Sequence, residues 1–312
     1  MKIIRDSDEQ RIESCVATIG AFDGVHLGHQ AVIHEVKRRA RDRSVASAVV
    51  TFDVHPALVV RPESAPQLLS TLDQKLELIE ELGVEVVYVI EFDEARATTT
   101  AEEFLQKVFV ERLRVVEIVV GSDFHFGKGR EGTVDFLRER GAEFGFVVDG
   151  LELIRHADDA TEHVSSTAIR RALTGGDVEG ANAMLGRAFE IRGRVLRGDQ
   201  RGQSIGFPTA NVALVEGMAR PANGVYACTY RHPDGTEYAA AANVGVRPTF
   251  YENAEGAVLE AHLLDFDGDL YETEARVSFR HFLRSERRFN GIDELRAQLD
   301  SDVEDVRTLL TS

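Results

Sequence analysis

Two histidines follow a glycine-rich segment near the N-terminus, and their spacing suits the binding of an anion. Residues 20–29 read GAFDGVHLGH and lie between an apolar run, residues 15–19, and an amphipathic stretch, residues 30–43. This order predicts a strand, a tight turn and a helix. Glycines let backbone N–H groups approach an anion, and a helix N-terminus adds partial positive charge. His26 and His29 are three residues apart, so both are expected on one face of the first helical turn, which predicts a polyphosphate site.

A cluster of hydroxyl side chains with an arginine forms a second candidate phosphate site. Ser165, Ser166 and Thr167 precede a short helical run, and Arg170 follows one turn later. Hydroxyls, backbone N–H groups and an arginine at a helix start can hold part of a triphosphate. The plainer interpretations are a simple helix N-cap here and, for the two histidines, a polar surface pair or a fortuitous metal pair.

The motif GFPTAN at residues 206–211 carries oxygen ligands for a divalent cation. Thr209 and Asn211 are two residues apart on a predicted strand, so they share one of its faces. Their hydroxyl and amide oxygens are hard donors of the kind that Mg²⁺ prefers. The glycine-rich segment upstream, residues 193–202, can wrap phosphates with backbone N–H groups, although glycines alone fit a hairpin turn equally well.

A carboxylate lies in the apolar run at residues 258–262. Burial of this residue, Glu260, costs free energy unless the carboxylate has a partner or a function. Desolvation would raise the pKa of Glu260 and suit it to act as a general base. An outward-facing position on the strand is the equally open alternative.

Strand and helix patterns alternate from residue 15 to about residue 155. Continuous apolar strands that alternate with helices indicate a parallel sheet with helices on both faces. Ligands of such sheets bind at the carboxyl ends of the strands, where residues 20–25 would lie. Thr100 and Glu103 form a candidate capping box. The predicted strands are 15–19, 45–52, 84–92, 115–121 and 146–153, and the predicted helices after the first are 70–82, 100–113 and 133–144.

The pattern changes after about residue 185 to short strands separated by turns. This pattern predicts a small antiparallel β-barrel, and an amphipathic helix at residues 292–310 follows it. We therefore expect a Rossmann-like α/β domain at residues 1–185 and a barrel domain with a C-terminal helix at residues 186–312. The strand candidates of the barrel are 224–230, 239–245, 258–266 and 274–279.

The composition of the chain argues against some classes of binding partner. The chain has 312 residues and a net charge of −17, which argues against nucleic acid or an anionic membrane as a main partner. The two cysteines, Cys15 and Cys228, lie in apolar runs, as buried thiols of a reducing compartment do. The N-terminus has no signal-peptide pattern, and no apolar run reaches the roughly 20 residues of a membrane helix. We expect a cytoplasmic protein, and the sequence leaves open whether it forms a homo-oligomer.

The N-terminal motifs resemble those of a known superfamily. Residues 20–29 are similar to the G-x-F-D-x-x-H-x-G-H signature of nucleotidyltransferases, in which the two histidines bind nucleotide phosphates. Residues 165–170 resemble the S-S-T-x-I-R segment of flavin adenylyltransferases. The loops that follow two predicted strands would pack aromatic side chains on the flavin. Val54 stands where that family usually has proline. The resemblance implies ATP binding by Gly20, Phe22, Asp23, Gly24, His26, His29, Ser165, Ser166, Thr167 and Arg170, with the histidines and Arg170 catalytic, and flavin binding by Phe52, Asp53, His55, Pro56, Asp123, Phe124 and Phe126.

The C-terminal motifs resemble riboflavin kinase. The resemblance rests on GFPTAN, on NVGVRPTF at residues 243–250, and on the glutamate that precedes DFDGDLY at residues 265–271. It implies that Thr209 and Asn211 bind Mg²⁺ and ATP phosphates and that Glu260 is the base. Gln203 replaces an expected arginine, and Glu272 an expected glycine. Further residues implied are Gly198, Gly202, Phe207, Pro208 and Asn243 for ATP, and Arg247, Leu270, Tyr271 and Phe282 for flavin.

Taken together, the motifs resemble the prokaryotic type of bifunctional riboflavin kinase and FAD synthetase. The resemblance implies that the chain phosphorylates riboflavin to FMN and then adenylylates FMN to FAD, with ATP and Mg²⁺. Three alternatives remain. They are a nucleotidyltransferase for another acceptor, an adenylyltransferase whose barrel has lost kinase activity, and a flavin-binding sensor or carrier without catalysis.

Overall fold

The chain forms two compact units. In the computed structural model, residues 1–151, 164–197, 202, 205–246 and 257–310 are described. One unit is Met1–Ser166 and the other is Thr167–Ser312.

A parallel sheet forms the centre of the first unit. Its described strands are β1 (Lys2–Arg5), β2 (Cys15–Ile19), β3 (Ala46–Phe52), β4 (Val86–Ile90), β5 (Val115–Gly121) and β6 (Val147–Leu151). They lie in the order β1-β4-β3-β2-β5-β6, and each pair is parallel. Alternate residues of β2 enter different core clusters, with Ala17 in one and Val16 in another, because the sheet is covered on both faces. The predicted parallel sheet is therefore confirmed.

Helices connect these strands. They are α1 (Leu27–Arg43), α2 (Pro56–Val60), α3 (Leu72–Glu81), α4 (Glu94–Ala97), α5 (Ala101–Phe104) and α6 (Val134–Phe144). The predicted capping box of Thr100 and Glu103 begins α5, which continues as a π-helix at Leu105–Arg112. Among the described elements of this unit, the predicted ends differ from the observed ends by at most three residues. The sequence did not predict β1, because only Ile4 of its four residues is buried.

The second unit contains a closed antiparallel barrel. Its described strands are β7 (Phe189–Leu196), β8 (Ala210–Val212), β9 (Gly224–Arg231), β10 (Glu237–Val246), β11 (Ala257–Leu263) and β12 (Glu274–Arg284), and its helices are α7 (Ser166–Thr174, which begins at the last residue of the first unit), α8 (Val178–Leu185) and α9 (Ile292–Leu310). The order around the barrel is β10-β11-β8-β7-β12-β9. The predicted barrel and C-terminal helix are thus confirmed. β12 runs five residues past its predicted end, because register shifts after Phe279 and Phe282 break the alternation that marks a strand in sequence.

The C-terminal helix α9 packs on the barrel. Val306 lies in a core cluster with Ala227 and Leu264. Asp302 is buried and accepts two hydrogen bonds from the Arg284 guanidinium at 2.8 and 2.6 Å. No helix within the described ranges combines the length and apolar character that crossing a membrane requires.

Candidate active sites

The glycine-rich loop between β2 and α1 has an unusual backbone. Phe22, Gly24 and Val25 have positive φ angles of 49°, 79° and 40°. Glycine adopts this region freely, but a phenylalanine and a β-branched valine do so at a cost in strain. Both side chains are almost fully buried, so packing holds the loop in its shape. Packing therefore fixes the direction of the backbone groups of the loop before any ligand binds.

The two histidines lie together at the start of α1. His26 precedes the helix as its N-cap, and its Nδ1 accepts a hydrogen bond from the backbone N–H of His29 at 3.4 Å. The imidazole rings stack, with centroids 3.6 Å apart and an interplanar angle of 19°. Nδ1 of His29 is buried and has no hydrogen-bond partner among the described residues. Burial, with smaller contributions from His26 and Lys75, lowers the pKa of His29 well below its ordinary value, so this ring is neutral at pH 7.

Asp23 supports the loop from within. Its side chain is buried, and its carboxylate accepts hydrogen bonds from the backbone N–H groups of Leu69 at 2.9 Å and Ser70 at 3.2 Å. The backbone N–H of Gly24 in turn donates to Ser70 Oγ at 3.0 Å. Asp23 thus joins the loop to the segment that leads into α3.

Lys75 is a site residue that sequence reasoning missed. Its Nζ donates hydrogen bonds to Ala21 O at 3.2 Å and Phe52 O at 2.8 Å. Burial lowers the pKa of Lys75 to about 8. The sequence does contain a signal for it, because Lys75 falls on the same face of α3 as Leu72 and Leu76, where an apolar side chain is expected.

The second hydroxyl segment meets the loop at Ser166. Ser166 Oγ donates a hydrogen bond to Asp23 O at 2.9 Å. The carbonyl of Val164 faces Gly28, 3.5 Å from the place where a Cβ would stand. The structure therefore brings Ser166 to the loop as the motif predicts. Thr167 and Arg170 follow on α7 and belong to the second compact unit.

The predicted flavin residues after β3 lie at the end of that strand and at the start of α2. Phe52 is partly buried and meets Phe92 edge to face at 5.3 Å between centroids. Asp53 Oδ1 accepts hydrogen bonds from the backbone N–H groups of Val54 and Phe92. His55 is the N-cap of α2 and Pro56 its first residue, so these two begin a helix. Phe52 thus leaves part of its ring exposed at the end of β3.

The predicted flavin residues after β5 form an aromatic cluster. Phe124 and Phe126 stack at 5.6 Å between centroids, with an interplanar angle of 12°. Phe126 is buried against Phe104, whereas Phe124 is partly buried and Asp123 exposed. Because β3 and β5 flank β2 in a parallel sheet, the loops after all three strands leave the same edge.

In the barrel unit, three polar residues form a row across neighbouring strands. Glu260 on β11 lies directly opposite Asn211 on β8 and directly opposite Asn243 on β10. Opposed residues of neighbouring strands point to the same side of a sheet. The residues before and after each of the three are buried, whereas the three themselves are partly buried. The row therefore lies on the outer wall of the barrel, and of the two orientations open for Glu260 the structure has the outward-facing one.

A tight turn and a histidine support the predicted metal ligand Thr209. The backbone N–H of Phe207 donates to Gly202 O at 2.9 Å, and a Cβ at Gly202 would lie 2.2 Å from Phe207 O. The position therefore requires glycine. Nδ1 of His262 donates to Pro208 O at 2.8 Å, from the residue two places after Glu260 on the same strand. His262 thus contacts the residue before Thr209 from the same strand that carries Glu260.

The remaining predicted kinase residues are not members of this row. Tyr271 lies under the Arg197 guanidinium, 4.9 Å from its ring centroid, and partly buried Leu270 precedes it. Phe282 packs against Tyr226 at 5.3 Å. Its strand, β12, is three strands from β11 in either direction around the barrel, so the structure does not bring Phe282 beside Glu260. Gly198, Gln203 and Arg247 lie outside the described residues.

The donor set of the row fits Mg²⁺. No cluster of three His, Cys, Asp or Glu side chains that could hold a metal occurs in the part of the chain that the structure describes. Mg²⁺ does not require one, since it binds through one or two protein oxygens together with phosphates and water. Asn211 supplies such an oxygen, and Thr209 supplies another two residues earlier.

Comparison with known proteins covers both units. The FAD synthetase family model matches residues 8–168, and the riboflavin kinase family model matches residues 185–310. A bifunctional riboflavin kinase/FMN adenylyltransferase of Pseudomonas fluorescens is 40% identical over 311 residues, which cover 99% of this chain and 98% of the relative. The protein of that name from Escherichia coli K12 is 38% identical over 97% of this chain and 96% of the relative.

A solved structure shares the whole fold. It is described as a macrolide-efflux protein from Streptococcus pneumoniae, is 29% identical, and superposes with a TM-score of 0.87 over 98% of this chain and 99% of that chain. Both units of the fold therefore occur together in another protein. With both family models matched and with relatives similar over nearly their full length, the chain belongs to the family of bifunctional riboflavin kinases/FMN adenylyltransferases.

Proposed function

We propose that this chain makes FAD from riboflavin in two steps, the first carried out at the barrel and the second at the loop after β2. The barrel unit transfers the γ-phosphate of ATP to riboflavin and forms FMN. The sheet unit joins FMN to the AMP part of ATP and releases pyrophosphate. The observation that carries this assignment is that each motif's polar residues are gathered in one place: the stacked histidines on the loop after β2, and the row of Glu260 with two asparagines on the barrel wall.

In the kinase step, Glu260 acts as the general base. The attacking group is the ribityl hydroxyl of riboflavin, a poor nucleophile until its proton is removed. The carboxylate accepts this proton, and the oxygen then bonds to the γ-phosphorus as ADP leaves. Thr209 and Asn211 would hold Mg²⁺, which would supply positive charge to the phosphoryl oxygens. Asn243, on the other side of Glu260, orients the phosphates.

The adenylyl step needs no general base. The phosphate of FMN is already an anion at neutral pH, so catalysis consists of alignment and of stabilising charge on the α-phosphate and the leaving pyrophosphate. Because His29 is neutral, its ring serves as a hydrogen-bond donor to a phosphate rather than as a fixed positive charge. The resemblance of residues 165–170 to the S-S-T-x-I-R segment assigns the cation to Arg170, and the amides of the loop add further donors. Phe52 and Phe124 offer ring faces to the flavin.

The division of labour follows the two family models. Residues 1–185 carry adenylyl transfer and residues 186–312 carry the kinase, a division supported by the matches at 8–168 and 185–310. The free, buried cysteines Cys15 and Cys228 and the use of ATP support a site of action in the cytoplasm. The net charge of −17 supports small molecules rather than nucleic acid as partners.

Chromatography of the flavins tests the function directly. The pure chain is incubated with ATP and Mg²⁺, with riboflavin in one tube and FMN in the other. The proposal expects FMN and then FAD from riboflavin, and FAD from FMN. Formation of FAD from FMN alone would mean that the barrel is not a kinase, and no product in either tube would favour a flavin carrier. Omission of Mg²⁺ tests the metal assignment, because both products should then be lost.

A further inference from the structure

The loop after β2 is tied to the start of α3 in both directions. From the loop, the Asp23 carboxylate accepts hydrogen bonds from the backbone N–H groups of Leu69 and Ser70. From the helix, Lys75 Nζ donates to Ala21 O. Hydrogen bonds in both directions fix the position and the orientation of the loop relative to α3 more firmly than one bond would.

The same ammonium reaches a second segment. Lys75 Nζ also donates to Phe52 O, at the last residue of β3, and Phe52 begins the segment assigned to flavin. Thr51 Oγ1 adds a hydrogen bond to Ala21 O at 3.2 Å, so β3 also contacts the loop directly at this point. One side chain therefore contacts the backbone of both segments to which the two substrates are assigned.

The burial of the Lys75 ammonium costs free energy of folding. The residue is only 7% exposed, and burial lowers its pKa to about 8 against the opposing effect of the Asp23 and Asp53 carboxylates. A leucine or methionine on this apolar face of α3 would avoid the desolvation of an ammonium. The hydrogen bonds that offset this cost go to the two segments assigned to the substrates and not to the core. They therefore point to a role of Lys75 in the geometry of these two segments.

We propose that Lys75 is a positioning residue for adenylyl transfer, whose buried ammonium sets the ATP loop, residues 20–26, in register with the flavin segment, residues 52–56. This inference rests on the proposed adenylyl transfer. In-line attack requires the FMN phosphate and the α-phosphate of ATP at the correct distance, and each is held by a different segment. Lys75 acts through the carbonyls of Ala21 and Phe52, and it fixes the separation of the two segments that hold these groups.

The test compares two lysine variants in the full-length chain. Lys75→Met removes the ammonium and keeps the length of the side chain. Lys37→Met is the matched control: Lys37 lies on α1 and its ammonium donates to the carbonyl of Leu82 at the other end of α3. Each variant is assayed for FAD from FMN with ATP and FMN varied in turn, and for FMN from riboflavin. Thermal unfolding by circular dichroism is measured on the same samples, and assays are run well below the midpoint.

We expect Lys75→Met to lower kcat/KM of adenylyl transfer by about 10- to 100-fold with either substrate, because small misplacements of reacting groups have effects of that size. Phosphorylation of riboflavin should stay unchanged, and Lys37→Met should leave both rates unchanged whatever its effect on the unfolding midpoint. Should Lys75→Met not fold, Lys75→Gln serves, with the same expectation.

Three results would overturn the proposal. They are a folded Lys75 variant with the wild-type adenylyl-transfer rate, a loss of that rate in Lys37→Met as large as in Lys75→Met, and a parallel loss of kinase activity in the Lys75 variant alone. If the wild-type chain made no FAD from FMN, the proposed function would fail and this inference with it. If the wild type makes FAD and the folded Lys75 variant does so equally well, the inference alone fails.

Discussion

The rings of His26 and His29 stack face to face with their centroids 3.6 Å apart. Two imidazolium ions at that separation would repel each other strongly, so at most one of the rings carries a charge. His26 accepts the backbone hydrogen bond of His29 through Nδ1, which fixes that nitrogen as unprotonated. His29, which burial keeps neutral, therefore offers an oriented ring to a phosphate and brings no fixed positive charge to the site.

His29→Ala should abolish FAD formation and leave FMN formation nearly intact. The variant removes a hydrogen-bond donor from the adenylyl-transfer site, while the kinase residues belong to the other compact unit. We expect a loss of at least about 100-fold in FAD formation from FMN, as for removal of one charge-stabilising donor. Quantification of FMN and FAD by chromatography measures both. His34→Ala, an exposed position of the same helix, is the control and should retain both rates.

Glu260→Gln should have the opposite effect. The amide cannot accept the proton of the ribityl hydroxyl, so riboflavin phosphorylation should fall by about 100- to 10,000-fold, the range that general-base catalysis contributes. FAD formation should persist when FMN is supplied. The control is Glu274→Gln, an exposed carboxylate at the start of β12. A Glu260→Gln variant that phosphorylates riboflavin at the wild-type rate would exclude Glu260 as the base.

His29 should make the protein sensitive to acid. Its pKa in the folded state is well below 6.5, so below pH 6.5 the unfolded chain binds a proton that the folded chain does not. The free energy of unfolding then falls as the pH falls. His29→Asn lacks this proton, and its stability should fall less between pH 7.5 and pH 5. Urea unfolding of both proteins at the two pH values gives the comparison, and equal losses would contradict the lowered pKa.

Lys75 should have its effect on stability in the alkaline range. Its pKa is about 8 in the folded state against 10.5 for the free side chain, so between these values the unfolded chain binds more protons. The free energy of unfolding of the wild type should therefore rise relative to that of Lys75→Met as the pH increases from 7 to 10. The expected rise is about 2–3 kcal/mol. Denaturant unfolding at pH 7 and pH 10 measures it, and a constant difference would mean that the ammonium is not desolvated.

The sequence by itself determined which chemistry the chain carries and most of its elements. The glycines and histidines of residues 20–29, the hydroxyls before Arg170 and the GFPTAN motif are local signals, readable because the residues of each motif are close in sequence. Periodicity predicted the parallel sheet, because a buried strand is continuously apolar and a buried helix face repeats every three to four residues, and short strand candidates separated by turns predicted the barrel. The sequence did not predict β1, since a short edge strand buries too few residues to produce a pattern.

The tertiary structure alone decided which residues meet. Lys75 joins Ala21 and Phe52 across separations of 54 and 23 residues, and Glu260 faces Asn211 and Asn243 from other strands. Such pairs depend on sheet order and strand register, which no local pattern specifies. Register also decided that Glu260 points outward, a choice that apolar neighbours on both sides left open. Local sequence thus specifies the groups, and long-range packing specifies their distances, because only the assembled sheet and the closed barrel bring distant segments within hydrogen-bonding range.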